Sequence, residues 1–176
     1  MKLNRAGDYG VRVVLALALR ERGAVVPVRE ISQEQHIPHA FLNKVVSTLS
    51  AVGILRTHRG AAGGAALARD AAAISMLDVI EAIEGPTTLN FCLTCAHACQ
   101  LSPDCVVRGV WARAQGQLRD LLASTDFAQL ADRSRAMAPS PRLTASAAPP
   151  RPARAVDVLA APFTHPPTPQ RRTHRC

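Results

Sequence analysis

Residues 27–68, PVREISQEQHIPHAFLNKVVSTLSAVGILRTHRGAAGGAALA, decide the fold. Apolar residues recur at helical spacing on both sides of a break at Ile37-Pro38, because the residue before a proline is pushed out of the helical region. Pro38 is well suited to open the following helix, where its missing N–H has no consequence. The stretch predicts two helices and a hairpin, over 27–35, 39–51, 54–59 and 65–68, with a glycine-rich tip at 60–64.

Further helices are predicted on both sides of this unit. Ser75 can cap a helix that Gly85-Pro86 ends, and others are expected over 4–20 and 106–123, with a short terminal turn over 125–130. Alanine and leucine, the strongest helix formers, are abundant, whereas aromatic residues make up only 3%. In the first helix the predicted inward stripe is Val11, Val14, Leu15, Ala18 and Leu19. We expect a mainly α protein, a winged helix-turn-helix with a small β-hairpin wing and a long C-terminal helix.

The formal net charge of +8 is unevenly distributed. Residues 138–176 hold six arginines and one acid, a net charge of +5, together with nine of the 13 prolines. This composition predicts a disordered basic tail. The preceding part carries +3, which is compatible with a nucleic-acid partner. No stretch approaches the ~20 apolar residues of a membrane span and no secretory signal is evident, so the expected compartment is the cytoplasm.

The helix over 39–51 and the hairpin are the predicted DNA-reading elements. In a helix-turn-helix the second helix of the motif enters the major groove. Its polar side offers His39, Asn43, Lys44 and Ser47, of which Asn43 can form two hydrogen bonds to adenine. Arg59, beside the tip, is placed to enter a minor groove. The predicted buried side is Phe41, Leu42, Val45, Val46 and Leu49. Winged helices also serve as protein-binding modules, so the pattern alone leaves that alternative open.

A second motif, CLTCAHACQLSPDC, places four cysteines within residues 92–105. Thiolates bind zinc or iron–sulfur clusters, and the spacing alone leaves both open. The interval between Cys99 and Cys105 is longer than that of a zinc knuckle. His97 is a possible additional ligand. A thiol-based redox enzyme is a third alternative, but no thioredoxin-like βαβ pattern surrounds the CxxC, and the chain is not expected to be an enzyme.

Several of these motifs, in this order, resemble one family of bacterial regulators. MKLNRAGDYGVRVVLALA is similar to its first helix, IPHAFLNKVVSTLSAVGILRTHRGAAGG to its recognition helix and wing, and ISMLDVIEAIEG to its next helix. The stretch that begins CQLSPDC resembles its cysteine loop and dimerisation helix. The chain is thus identified, over residues 1–132, as a member of the Rrf-two family. Ala65 departs from the pattern, because members often carry a larger apolar residue there, and predicts a loosely packed wing.

The resemblance implies a homodimer, formed by pairing of the long helices, with an iron–sulfur cluster held by three loop cysteines. Cys99 and Cys105 match two of the ligands, and the first is Cys92, with Cys95 as the alternative. Asp8 matches the aspartate that, in the NsrR-like branch, is donated by the other subunit as fourth ligand. Arg12, one turn further on, lies on the same face and is expected to support the cluster or Asp8.

The NsrR-like branch consists of nitric-oxide-sensing iron–sulfur repressors. A hard carboxylate is a poor match for iron otherwise held by thiolates, so the cluster is expected to be readily attacked. We therefore expect a repressor that senses nitric oxide through a cluster, [4Fe–4S] rather than [2Fe–2S]. The alternatives are a redox- or iron-responsive regulator and a zinc-stabilised or metal-free one. The expected organisation is a DNA-binding domain (1–85), a cluster-binding loop (86–105), a dimerisation region (106–137) and the tail (138–176).

Overall fold

The computed structural model describes residues 4–60, 63–95, 99 and 104–137. Within them the chain is mainly helical, with a two-stranded antiparallel hairpin, and the predicted fold class is confirmed. None of the described helices is long and apolar enough to cross a lipid bilayer. The elements are α1 (Arg5–Ala18), α2 (Val28–Glu34), α3 (His39–Ala51), β1 (Leu55–His58), β2 (Gly64–Leu67), a 3-10 turn (Ala71–Ala73), α4 (Met76–Glu84), α5 (Phe91–Thr94), α6 (Val106–Ser124) and α7 (Phe127–Met137).

Local sequence explains where the helices begin. The Asn4 side chain accepts hydrogen bonds from the N–H groups of Ala6 and Gly7, which satisfies donors that a helix start leaves unpaired. Ser75 caps α4 as expected, in a reciprocal arrangement with Asp78. Both helices therefore start at residues with a side-chain acceptor.

The turn between α2 and α3 has a defined geometry. His36 has a φ of 52°, in the left-handed region that residues with a side chain rarely adopt. Ser32 and Ile37 are joined by two hydrogen bonds, from the Ile37 N–H to the Ser32 carbonyl at 3.0 Å and from the Ser32 hydroxyl to the Ile37 carbonyl at 2.7 Å. Ile37 is buried. These contacts set the angle at which α3 leaves the turn.

The hydrophobic core lies between α1, α3, α4 and α7. Its fully buried members include Val13, Val14, Leu42, Leu49, Val79 and Phe127. The predicted stripe on α1 was partly wrong, because Val13 and Leu17 are buried whereas Leu19 is exposed. Gly10 permits the close approach of α1 to α4, since a Cβ there would collide with Ile83. The side of α1 that faces the core therefore carries Gly10, Val13 and Leu17, and Leu19 lies outside it.

The wing is anchored to the strand-like segment before α2. Leu55 pairs with Leu67 and His58 with Gly64, and Val26 and Ala65 exchange two backbone hydrogen bonds of 2.9 Å. Ala65 is fully buried, and a Cβ on Gly64 would collide with the Val26 carbonyl. The expected loose packing at Ala65 was wrong, because the small residues allow this close backbone pairing.

The predicted terminal turn over 125–130 was also wrong, because residues Phe127–Met137 form an 11-residue helix. The Met76 N–H donates to the Thr125 carbonyl at 2.9 Å, and the Phe127 N–H donates to the Ile74 carbonyl at 3.1 Å. Phe127 and Ala131 are buried in the core. Helix α7 is therefore packed against α1 and the 3-10 turn.

Two smaller expectations also change. Phe41, predicted to be buried, is 40% exposed, because it lies at the edge of the core-facing side of α3 and contacts Tyr9 at the surface. The predicted cysteine loop contains the one-turn helix α5. The tail, 138–176, and His97 lie outside the described residues.

Candidate nucleic-acid interface and cysteine loop

The polar residues of α3 lie on one side of the helix. His39, Asn43, Lys44 and Ser47 are all exposed, whereas Leu42, Val45, Val46 and Leu49 face the core. The Nδ2 atom of Asn43 lies 3.4 Å from Nδ1 of His39, one turn earlier. This contact restricts both side chains before any ligand binds.

A groove of about 500 Å³ runs between α3 and the wing. Of the predicted residues, His39, Asn43 and Ser47 line it, whereas Lys44 and Arg59 do not. It is also lined by residues that sequence reasoning missed, namely Arg29, Thr57 and His58. Arg29 stands at the start of α2, and the wing, which pairs with Val26 just before α2 and also contacts α3, brings β1 to the same groove.

Basic side chains beside this groove are available for an anionic partner. Among the described residues, Arg29, Lys44 and Arg59 form no ion pair, and all three are exposed. By contrast Arg20, on the other side of α2, is paired with Glu30 and Glu34. Unpaired arginine and lysine are the residues that contact phosphates in protein–DNA complexes.

The cysteine loop is attached to α4 and α6 where it begins. Glu81 forms an ion pair with Arg119 and accepts a 2.7 Å hydrogen bond from the Thr87 N–H. Gln115 accepts a 3.0 Å hydrogen bond from the Leu89 N–H. Burial alone would raise the pKa of Glu81, but the Thr87 N–H and the Arg119 guanidinium outweigh it and lower that pKa below its ordinary value. Glu81 is therefore ionised, and it holds the start of the loop through the hydrogen bond from Thr87.

Three cysteines of the loop carry free thiols. Cys92, Cys99 and Cys105 are each partly buried, and Cys95, the alternative first ligand, already has a partner. The part of the chain that the structure describes contains no group of three or more His, Cys, Asp or Glu side chains placed to hold a metal. Among the described residues, a single chain therefore brings together neither the three thiols nor the thiols and Asp8 as a ligand set.

Two positively charged features lie close to the cysteine loop. Cys105 is the N-cap of the 19-residue α6 and its side chain makes no cap hydrogen bond, so this residue stands at the positive end of the helix. Nε of Arg108 donates to the Cys92 carbonyl at 3.4 Å, which brings a second positive charge to the loop. The donor chemistry therefore fits thiolate ligands to iron or zinc.

Asp8 and Arg12 lie at the surface of α1. Their side chains are 56% and 39% exposed, and Nη1 of Arg12 lies 3.7 Å from Oδ2 of Asp8. Nη2 of Arg12 donates a 2.7 Å hydrogen bond to the Gln35 carbonyl at the end of α2. The i,i+4 spacing indicated the first contact, but the second joins residues 23 positions apart, so no local pattern indicates it.

Helix α6 presents an apolar face that nothing in the described chain covers. No residue of α6 is buried, and its large exposed residues are Val106, Val107, Val110, Trp111 and Leu121. Their spacing places them on one side of the helix. An apolar stripe of this length usually marks a protein contact.

The known proteins that this chain is similar to are transcriptional regulators. A family model described as Rrf2, iron-dependent transcriptional regulator, matches residues 3–133. The chain is 30% identical to Rv1287 of Mycobacterium tuberculosis, an inferred HTH-type transcriptional regulator, over 74% of this chain and 81% of that one. It is 28% identical to the HTH-type transcriptional regulator IscR of Salmonella agona, over 90% and 96%. The structure of CymR, the global cysteine regulator of B. subtilis, superposes with a TM-score of 0.64 at 27% identity, over 76% and 98%.

Proposed function

The chain belongs to the Rrf2 family of transcriptional regulators, and from this we propose that it is a homodimeric repressor whose operator binding is controlled by an iron–sulfur cluster that senses nitric oxide. Its relatives are regulators and not enzymes. The observation that carries the proposal is that Cys92, Cys99 and Cys105 of one loop carry free thiols, with Cys105 at the start of α6.

DNA binding is supported by the groove between α3 and the wing. His39, Asn43 and Ser47 are positioned to meet base edges in a major groove, and Arg29 and Lys44 to meet phosphates. Arg59 stands beside the tip for a minor-groove contact. The arrangement separates residues that read sequence from residues that supply affinity.

Dimerisation is supported by the apolar face of α6. Pairing two copies of α6 would cover this face, as it does for amphipathic helices that pack side by side. Two recognition helices at a defined separation then read two half-sites. The dimer also offers a route for Asp8 of one copy to approach the thiols of the other.

Within this proposal three thiolates and Asp8 hold the cluster, and Cys95 is the alternative to Cys92. When bound, the cluster would supply iron atoms that nitric oxide attacks. The chain itself provides the ligands, the positive charge of Arg108 and the anchor at Glu81. An oxygen ligand among thiolates is the poorest match for iron, so Asp8 would be the most weakly held of the four ligands. The family resemblance favours [4Fe–4S] over [2Fe–2S] as the proposed form.

The test is anaerobic purification of the full-length protein and its cysteine variants. We expect a coloured protein with [4Fe–4S] absorption and Mössbauer spectra, which loses operator affinity on titration with nitric oxide. Cys99→Ala and Cys105→Ala should each prevent stable cluster assembly, as should Cys92→Ala, and Cys95→Ala is the matched control. If Cys95→Ala loses the cluster and Cys92→Ala keeps it, the first ligand is Cys95. A protein that takes up zinc and never iron contradicts the proposal.

A second candidate is a regulator of the same family that responds through its thiols and holds no cluster. It is favoured by the partial exposure of three free thiols and by the structural similarity to a protein named as a cysteine regulator. In that case the purified protein is colourless, and oxidation of Cys92, Cys99 or Cys105 changes operator affinity without iron. The same purification therefore separates the two candidates.

A further inference from the structure

We propose that His39 is a positioning residue that makes base recognition by Asn43 depend on pH. The inference rests on the proposed function, in which α3 reads DNA. Nδ2 of Asn43 lies 3.4 Å from Nδ1 of His39, which stands one helical turn earlier. Both side chains are exposed, and both line the groove between α3 and the wing. The imidazole therefore contacts the same amide group that would bind a base.

The protonation state of the imidazole decides which atom of the amide can face it. A neutral imidazole has one ring nitrogen that accepts a hydrogen bond and one that donates, whereas a protonated imidazole donates from both. An amide nitrogen only donates, and an amide oxygen only accepts. With Nδ1 of His39 unprotonated, the observed contact is a hydrogen bond that Asn43 donates. Protonation of Nδ1 would place two donors against each other.

Recognition of adenine uses both ends of the Asn43 amide. In the major groove adenine offers N7 as an acceptor and the N6 amino group as a donor, so asparagine must donate from Nδ2 and accept at Oδ1. The amide nitrogen carries two hydrogens, and one can bond His39 while the other bonds the base. If a protonated His39 turns the amide oxygen toward itself, the base loses its acceptor. Protonation of His39 thus removes one of the two base contacts.

The groove offers a protonated His39 no acidic partner. The charged or titratable side chains that line it from the neighbouring elements are Arg29 of α2 and His58 of β1, and both are basic. Among the described residues no carboxylate lines the groove, and the sequence of α3 contains no acid. The two glutamates of α2 are paired with Arg20. The acceptor within reach of a protonated His39 is therefore the oxygen of Asn43.

Acid should have opposite effects on affinity and on sequence discrimination. Histidine is the side chain whose charge ordinarily changes between about pH 5 and 8. Protonation of His39 and His58 adds positive charge to the groove, so binding to any DNA should become tighter as the pH falls. Discrimination between sequences should become weaker over the same range, because Asn43 no longer presents both ends of its amide. A change in groove charge alone would not produce the second effect.

The experiment compares two duplexes by fluorescence anisotropy with the full-length protein at one salt concentration. One duplex is enriched by the wild type from a random library at about pH 8, and the other has a G·C pair in place of the A·T pair at which Asn43→Ala loses discrimination. We expect the ratio of the two affinities to fall at least about fivefold between about pH 8 and pH 6. Absorption spectra at each pH check that the cluster content is the same.

Variants of His39 separate its hydrogen bond from its charge. His39→Gln keeps an acceptor for Nδ2 of Asn43 and cannot be protonated, so discrimination should stay high at both pH values. His39→Ala removes the contact, so discrimination should be low at both. If either variant retains the wild-type dependence of discrimination on pH, the proposal is overturned.

Two other histidines are the matched controls. His58 lines the same groove without a hydrogen bond to Asn43, so His58→Gln should reduce the gain in affinity for both duplexes at low pH and leave the fall in discrimination unchanged. His36 is exposed but does not line the groove, and His36→Gln should change neither quantity. Loss of the pH-dependent discrimination in His58→Gln would show that the charge of the groove, and not His39, controls it, and would overturn the proposal.

The contact can also be followed without DNA, by nuclear magnetic resonance of the full-length protein. The side-chain amide signals of Asn43 should shift together with the titration of the His39 ring, and His39→Gln should abolish that shift. Asn43 signals that do not follow the His39 ring would overturn the proposal. If the protein binds no DNA at any pH, the proposed function fails, and the Asn43 signals still decide whether His39 positions the amide.

Discussion

Among single residues, Asn43 has the best position to read a base. It is exposed on α3, lines the groove beside the wing and is oriented by its contact with His39. We expect Asn43→Ala to weaken binding to the preferred operator by about 1–3 kcal/mol while binding to unrelated DNA is unchanged, because a bidentate contact to adenine would be lost. Fluorescence anisotropy with operator and scrambled duplexes at one salt concentration measures both.

Thr48 and Lys44 are the comparisons for that experiment. Thr48 is exposed on the same helix but does not line the groove, so Thr48→Ala should change neither affinity. Lys44→Ala should weaken binding to all sequences alike and reduce the salt dependence, as loss of a phosphate contact does. Equal losses on operator and scrambled DNA for Asn43→Ala would contradict its assignment to base reading.

The positions of some single residues could be predicted from the sequence, and those of others could not. The exposed positions of His39, Asn43, Lys44 and Ser47 follow from helical spacing, a local property. The hydrogen bond from Arg12 to Gln35 and the groove position of His58 depend on elements that meet only after folding. Phe41 was misplaced because it lies at the edge of the core-facing side of α3, where its ring meets Tyr9 at the surface, whereas its neighbour Leu42 is fully buried.

At the scale of elements, α7 carries the clearest expected stability effect. Phe127 is fully buried in the hydrophobic core, although it follows α6 in the chain. We expect Phe127→Ala to lower the free energy of unfolding by about 3–5 kcal/mol, because it removes a buried ring and leaves a cavity. Met137→Ala on the same helix, where the side chain is 83% exposed, should change it by less than about 0.5 kcal/mol. Urea unfolding followed by circular dichroism measures both, and similar midpoints would contradict the packing of α7.

The elements were predicted to different degrees for a physical reason. Helices α1, α3, α4 and α6 and the hairpin have strong periodicity or clear end signals, and the structure contains them. Helix α7, FAQLADRSRAM, lacks a long apolar stripe, and its contacts with α1 and with the 3-10 turn explain why it is ordered. The order of the helix-turn-helix was therefore predictable from local pattern, whereas the return of α7 to the core was not.

For the whole molecule, the exposed face of α6 determines the expected assembly. We expect Val110→Glu to convert the dimer to a monomer and to lower operator affinity at least about tenfold, because a charge would be buried in the helix pair and the two half-sites would no longer be read together. Ala123→Glu adds the same charge on the opposite side of α6 and should leave the dimer intact. Sedimentation velocity and operator titration are the measurements, and a dimeric Val110→Glu variant would refute α6 pairing.

The position of Phe127 has a consequence for how the protein is made. On the ribosome, α1, α3 and the wing emerge early, but the core that they share stays incomplete until Phe127 and Ala131 have also left the exit tunnel. The nascent chain must therefore carry unfilled apolar surface until α7 has emerged. The winged helix-turn-helix matures only then, although all of its residues precede α6 in the sequence.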